Sequence, residues 1–226
     1  VNGIEVGTRK AWAFAEERNV PRAFIMNKVD GEHTNIDEVL TELRNVFGNR
    51  VIPITVPNGE GEAFTKVTSV LAEDGNEDYR TELQEAVVEV DEELMEKFLE
   101  TMELSDEELA SALPKAMAQG SVYPLFYTSA TQCIGIEEMF DFINQYFPTL
   151  TDKPAMTAKD KKGEDVEFQP GGEGGMVSQV FRIQTDPFVG KLAYFRVMRG
   201  EIEVEKTYYE SSSESTFKLA NLYMPQ

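Results

Sequence analysis

Ala23-Phe24-Ile25-Met26-Asn27-Lys28-Val29-Asp30 is the stretch on which the fold turns. An unbroken apolar run is followed at once by a polar loop. Alternating sequences describe strands with one wet face, whereas a continuous apolar run fits a parallel strand buried on both faces. The loop then lies at the strand's C-terminal end, where open α/β sheets bind their ligands. Upstream, Thr8 to Asn19 reads as a helix capped by Thr8 and stopped by Asn19-Val20-Pro21. Downstream, Ile36, Val39, Leu40, Leu43 and Phe47 share one face of a second helix, ended by Gly48.

Farther out, Val51 to Val56 reads as a strand, and residues 57–78 as loops with at most short elements. Leu83, Val87, Val90, Leu94 and Phe98 follow at three- and four-residue steps, predicting one long helix from Tyr79 to Met102. Ser105-Asp106-Glu107-Glu108 has the capping-box spacing and opens a further helix to Ala118, kinked or divided at Pro114. A strand at Val122 to Tyr127 and a helix from Ile136 to Phe147 complete an α/β pattern with a parallel sheet. The pattern changes after Pro148. Lys159 to Lys162 and Gly171-Gly172-Glu173-Gly174-Gly175 read as linker. Strands at Val177–Ile183, Lys191–Met198, Glu203–Tyr209 and Thr216–Leu222 then suit a small antiparallel barrel.

Asn27-Lys28-Val29-Asp30 carries a specific chemistry. A carboxylate has two acceptor oxygens, so Asp30 can take hydrogen bonds from both N1–H and the N2 amine of guanine, a pair that adenine does not offer. Asn27 supplies a donor and an acceptor for the base edge and the neighbouring loops. The apolar stem of Lys28 can lie along the purine face. Taken by itself, the motif also fits a polar strand-to-helix turn in which Asp30 only caps the loop. A second element narrows the choice. Thr128-Ser129-Ala130 follows the strand ending at Tyr127, and a small residue there lets a backbone N–H approach O6 of the base.

These two motifs resemble the guanine-specificity elements of the GTPase superfamily. Ser129 lies 102 residues after Asn27, a gap that elongation factor G fills with an inserted subdomain. The acidic stretch from Glu85 to Glu100 resembles that insert. Thr185-Asp186-Pro187-Phe188-Val189-Gly190-Lys191-Leu192, with Phe195-Arg196-Val197 and Gly200, resembles the opening of the family's β-barrel second domain. Gly3-Ile4-Glu5-Val6 resembles the segment after the family's second switch. The resemblance implies an α/β fold: the C-terminal half of a P-loop GTPase-type parallel-sheet domain with a helical insertion, then part of an antiparallel β-barrel. Residues 1–150 would form the GTP-binding half, with the insert at 57–120, 151–175 a linker, and 176–226 the start of the barrel. Asn27, Lys28, Asp30, Ser129 and Ala130 would bind the base of GTP or GDP. Two departures mark a divergent member: Pro114 within its helix, and a shortened strand-forming segment between Phe64 and the long helix.

No Gly-x-x-x-x-Gly-Lys-[Ser/Thr] occurs among the 226 residues. The expectation is therefore a fragment or processed product, beginning at Val1 rather than Met. It would have no catalytic residues of its own, no metal ligands and no bound nucleotide, with GTP, GDP and Mg²⁺ belonging to the intact GTPase. His33 reads as an exposed loop residue and Cys133 as a small filler, and a single cysteine suits a reducing cytoplasm. No apolar run reaches the roughly 20 residues that span a bilayer, so no membrane partner is expected. Net charge is −20, and residues 73–108 alone hold 16 acids against two bases. Bulk charge thus excludes a generic nucleic-acid binder. The acidic segment reads either as a solvated helix face or as a surface for a protein partner, which by resemblance is the ribosome and its stalk protein. The alternatives are a non-catalytic acidic binding module and a ribosome-rescue or protection relative. A sheet missing neighbours at its edge would also favour pairing between copies.

Overall fold

The computed structural model describes residues 3–224. Val1, on which the fragment expectation turns, and Gln226, at which the barrel expectation ends, lie outside the described residues. The chain divides into two compact units, Val1–Pro148 and Thr149–Gln226.

The first unit begins with α1 (Val6–Glu17), β1 (Phe24–Asn27), α2 (Ile36–Phe47), β2 (Val51–Pro53) and β3 (Thr55–Pro57). After a 3₁₀ turn at Gly61–Ala63 come β4 (Val67–Ser69), α3 (Glu77–Val88), α4 (Glu92–Thr101), α5 (Asp106–Gln119), β5 (Tyr123–Thr128) and α6 (Ile136–Tyr146). β5 is the centre of a three-stranded parallel sheet in the order β1-β5-β2. Every residue of β5 is buried. Its side chains alternate between two cores, as strand geometry requires. Tyr123, Leu125 and Tyr127 join Trp12, Leu40 and Leu43 on the side of α1 and α2. Phe126 joins Leu83, Leu113 and Phe142 on the side of α3, α5 and α6. Burying a side chain such as Phe126 stabilises by about 1.5–3 kcal/mol.

Tertiary contacts redraw several predicted elements. α1 starts before Thr8, with Glu5 at its N-cap and no side-chain cap, because Ile4 already packs into the core. The strand predicted over 51–56 breaks at Ile54. There its N–H donates to Leu125 O at 2.8 Å while its carbonyl accepts from Val70 N at 2.9 Å, so the chain leaves β5 to pair with β4. The helix predicted over 79–102 is two helices. Asp91 caps the second by accepting from Glu93 N and Leu94 N, so α3 buries Val87 and α4 buries Phe98. The capping box at Ser105 forms, and α5 runs undivided through Pro114.

In the second unit, β6 (Met156–Lys159) and β7 (Asp165–Phe168) form a hairpin inside the span predicted as linker. β8 (Val177–Asp186) pairs with β9 (Gly190–Arg199), and β10 (Thr207–Glu210) with β11 (Ser215–Lys218), all antiparallel. Among the described residues these are separate two-stranded sheets.

Candidate functional site

Parallel pairing sets Asn27 opposite Thr128 at the C-terminal ends of β1 and β5. Both motifs predicted from sequence therefore leave the sheet side by side. Lys28 turns the chain with φ +64, a left-handed conformation uncommon outside glycine. That turn sends Val29 into the core, fully buried, and leaves Asp30 half-buried at the surface. Val29 is tied on both sides: its N–H donates to Thr128 O at 3.2 Å, and its carbonyl accepts from Gly61 N at 2.9 Å.

Asn27 joins the two loops. Its Oδ1 accepts from Lys28 N at 2.8 Å, Ala130 N at 3.0 Å and Thr128 Oγ1 at 3.3 Å. The acceptor is thus engaged by the protein, while the amide NH₂ is left to donate outward. The backbone N–H of Ala130, which the sequence assigns to O6 of a base, donates here to Asn27. An incoming carbonyl must share it.

Asp30 lies among hydroxyls. Its carboxyl is held below its usual range, chiefly by a hydrogen bond from the Ser129 side chain, with smaller help from Gln132 and Thr131. Thr131 Oγ1 is 3.5 Å from Asp30 Oδ2 and 3.2 Å from Ser129 Oγ. Ser129 is fully buried, and its Oγ also accepts from Gln132 N at 3.3 Å. A carboxylate whose ionised, acceptor-only form is favoured thus sits beside an outward donor. That is the complement of guanine, whose N1–H and N2 amine donate and whose O6 and N7 accept.

The loop turns back through Ser129 and Ile134, whose backbones exchange two hydrogen bonds, into Gly135 and α6. The side chain of Lys28 is exposed and has no protein partner among the described residues. His33 is exposed, with φ +59. Cys133 does not fill the core: it is exposed on the loop, where its φ is +56. Sequence reasoning named Thr128 in its motif without giving it a role, and missed Thr131 and the Gly61 contact. The role of Thr128 could have been found by aligning the two strand ends in parallel register. The other two are brought in only by the fold.

A groove of about 300 Å³ runs along the free edge of β1, between Thr8 on α1 and Val39 and Leu43 on α2, as far as Asn27 and Lys28. Asp30, Ser129 and Ala130 do not line it, so it is an edge groove separate from their cluster. Among the described residues, no three of His, Cys, Asp and Glu are gathered to hold a metal ion, and no helix is long and apolar enough to cross a membrane. The residues present fit a purine base. They do not fit a triphosphate with Mg²⁺.

A family profile described as the elongation factor Tu GTP-binding domain matches residues 1–149. An elongation factor G-like protein from Thermotoga maritima is 27% identical over 241 residues, covering 100% of this chain and 35% of that protein. An elongation factor G from Fervidobacterium nodosum is 30% identical over 224 residues, covering 89% of this chain and 32% of that protein. A crystal structure of a Thermus thermophilus protein superposes with a TM-score of 0.79 at 28% identity, over 99% of this chain and 34% of that one. The chain thus spans about a third of the length of each of these relatives.

Proposed function

The chain belongs to the translational GTPase family described by the elongation factor Tu GTP-binding domain, and from that premise we propose that it supplies the base-reading half of the guanine-nucleotide site of an elongation factor G-type GTPase. One observation carries the reading. On adjacent parallel strands, the Asp30 carboxylate and the Asn27 amide present an acceptor and a donor in guanine's order. Asp30 selects the base through N1–H and N2, Asn27 donates to its other edge, and Lys28 covers its face. Ser129 orients Asp30, and Ala130 leaves room for close approach.

GTP hydrolysis belongs to the intact protein, where a phosphate-binding loop and Mg²⁺ supply charge stabilisation of the transferred phosphoryl group. These 226 residues contain no phosphate-loop motif, so this chain alone binds guanine nucleotide weakly and does not hydrolyse it. A sub-micromolar dissociation constant for GDP, measured by calorimetry on this chain, would overturn that statement. In the intact protein, Asp30→Asn shifts preference from guanine to xanthine, whose C2 oxygen accepts from the new amide. The change in relative affinity is on the order of 10⁴. Competition between GDP and XDP reads it directly, and undiminished guanine preference would refute the role of Asp30.

Residues 1–148 are proposed as the rear half of the GTPase sheet domain, and the antiparallel hairpins after it as the beginning of a barrel. The proposed setting is the ribosome, in the cytoplasm. The acidic helices favour docking of a basic protein partner, by resemblance the ribosomal stalk. Arg80, Lys97 and Lys115 pair with Asp106, Glu108 and Asp91, but Glu92, Glu93, Glu96 and Glu100 crowd α4 with a charge that these cations do not offset. The same acidic surface is what a purely binding role would use, and a rescue or protection factor would share both motifs.

A further inference from the structure

We propose that the Gly59-Glu60-Gly61 turn is a positioning element for the guanine-reading loop. The inference rests on the base-reading role of Asp30. The turn lies at the start of the segment between β2 and β5, and it grips the loop at both ends. Gly61 N–H donates to the carbonyl of Val29, the residue before Asp30, at 2.9 Å. Glu60 Oε2 accepts from Ile36 N at 3.1 Å, at the N-terminus of the helix that the loop enters. Asn35 caps the same helix on Glu38 N at 3.0 Å through its neutral amide oxygen, and Glu60 adds a second cap that is anionic. The interior of the loop closes on itself, through Gly31 N to Lys28 O at 3.1 Å and Thr34 Oγ1 to Gly31 O at 2.8 Å. Its outer attachments are therefore β5 on one side and this turn on the other.

The turn's shape is built for close approach. Gly59 and Gly61 have φ of +84 and +59, and a Cβ on Gly59 would meet the Ala63 carbonyl oxygen at 2.9 Å. Freed from Gly61 and Glu60, Asp30 would keep its hydroxyl partners but lose the backbone anchor that sets its position at the edge of the base. The consequence is specific: discrimination of the N2 amine, and not only affinity, depends on Glu60. Any partner that shifts this segment shifts guanine affinity by the same free energy that guanine shifts the partner's.

The test compares Glu60→Leu, which removes the acceptor, with Glu60→Gln, which keeps a carbonyl oxygen, in the intact protein. Glu60 is exposed, so both fold. GDP release is expected to be about tenfold faster in Glu60→Leu, with a reduced preference for GDP over IDP, which lacks the N2 amine. Glu60→Gln restores both. Unchanged release and unchanged GDP:IDP preference in Glu60→Leu overturn the proposal. Asp30→Ala is run alongside. If it leaves GDP affinity intact, the base-reading role itself fails. If it abolishes binding while Glu60→Leu is silent, only the positioning role fails. Amide exchange of Gly61 gives a readout without nucleotide: protection in the parent chain is expected, and exchange at the rate of an open loop would count against the hydrogen bond.

Discussion

Ser129 and Asp30 stand far apart in the chain and meet through one hydroxyl. The Ser129 hydrogen bond favours the ionised carboxylate, so the folded state holds the Asp30 carboxyl below its ordinary range. The sign of the linkage follows. The contribution is fully present above the unfolded value, and it is lost as pH falls through the lower folded value. Neutral solution therefore keeps Asp30 an acceptor, and acid is expected to weaken its hydrogen bonds to the Ser129 hydroxyl and, on the proposed role, its base preference. Ser129→Ala is expected to raise the Asp30 pKa back toward its ordinary value, read by NMR titration of the side-chain carboxyl carbon. An unmoved titration would assign the shift to other groups. Asp30, Asn27 and the Ser-Ala pair were legible because each residue type has only one set of hydrogen-bonding groups to offer. Thr131 was not, because a hydroxyl on an exposed loop has many possible partners until the fold chooses one.

The elements that hold these residues depend on a few conformational points. Gly135 begins α6 with φ +73, and a Cβ there would lie 2.3 Å from the Tyr127 carbonyl oxygen on β5. Gly135→Ala should destabilise the first unit by at least about 1–2 kcal/mol from the left-handed conformation alone, with the clash adding to it. Urea unfolding measures this, and a negligible loss would mean that the loop relaxes freely. Helix breaks show the limit of periodicity. Val87, Val90, Leu94 and Phe98 keep helical spacing across a junction, and the polar Asp91 between them reads as an exposed position. Its capping of Glu93 and Leu94 is what divides α3 from α4. The strand break at Ile54 is invisible for a similar reason, since both halves read as strand and only the change of partner separates them.

At the scale of the molecule, β1 pairs only with β5 among the described residues, and Ile25 on it remains 56% exposed beside the edge groove. An apolar strand with a free edge is a template for another strand. The isolated chain should therefore self-associate as concentration rises, seen as growth in mass by light scattering. Ile25→Lys should suppress it by placing a charge on the strand. A parent chain that stays monomeric throughout would show that the edge is adequately covered by its neighbours. The net charge of −20 opposes this association through long-range repulsion, so added salt is expected to promote it.

By itself the sequence determined the layered α/β character of residues 23–147, the capping of α5, and the chemistry of the residues around Asn27 and Ser129. These follow from periodicity, local caps and side-chain inventories, which need no knowledge of distant neighbours. Tertiary structure alone decided that β5 lies between β1 and β2, that Ile54 changes strands, that Ala130 N–H goes to Asn27, and that Gly61 grips Val29. Each of these is a choice among several equally satisfactory hydrogen-bond partners. Only closure of the chain over long stretches of sequence selects among them.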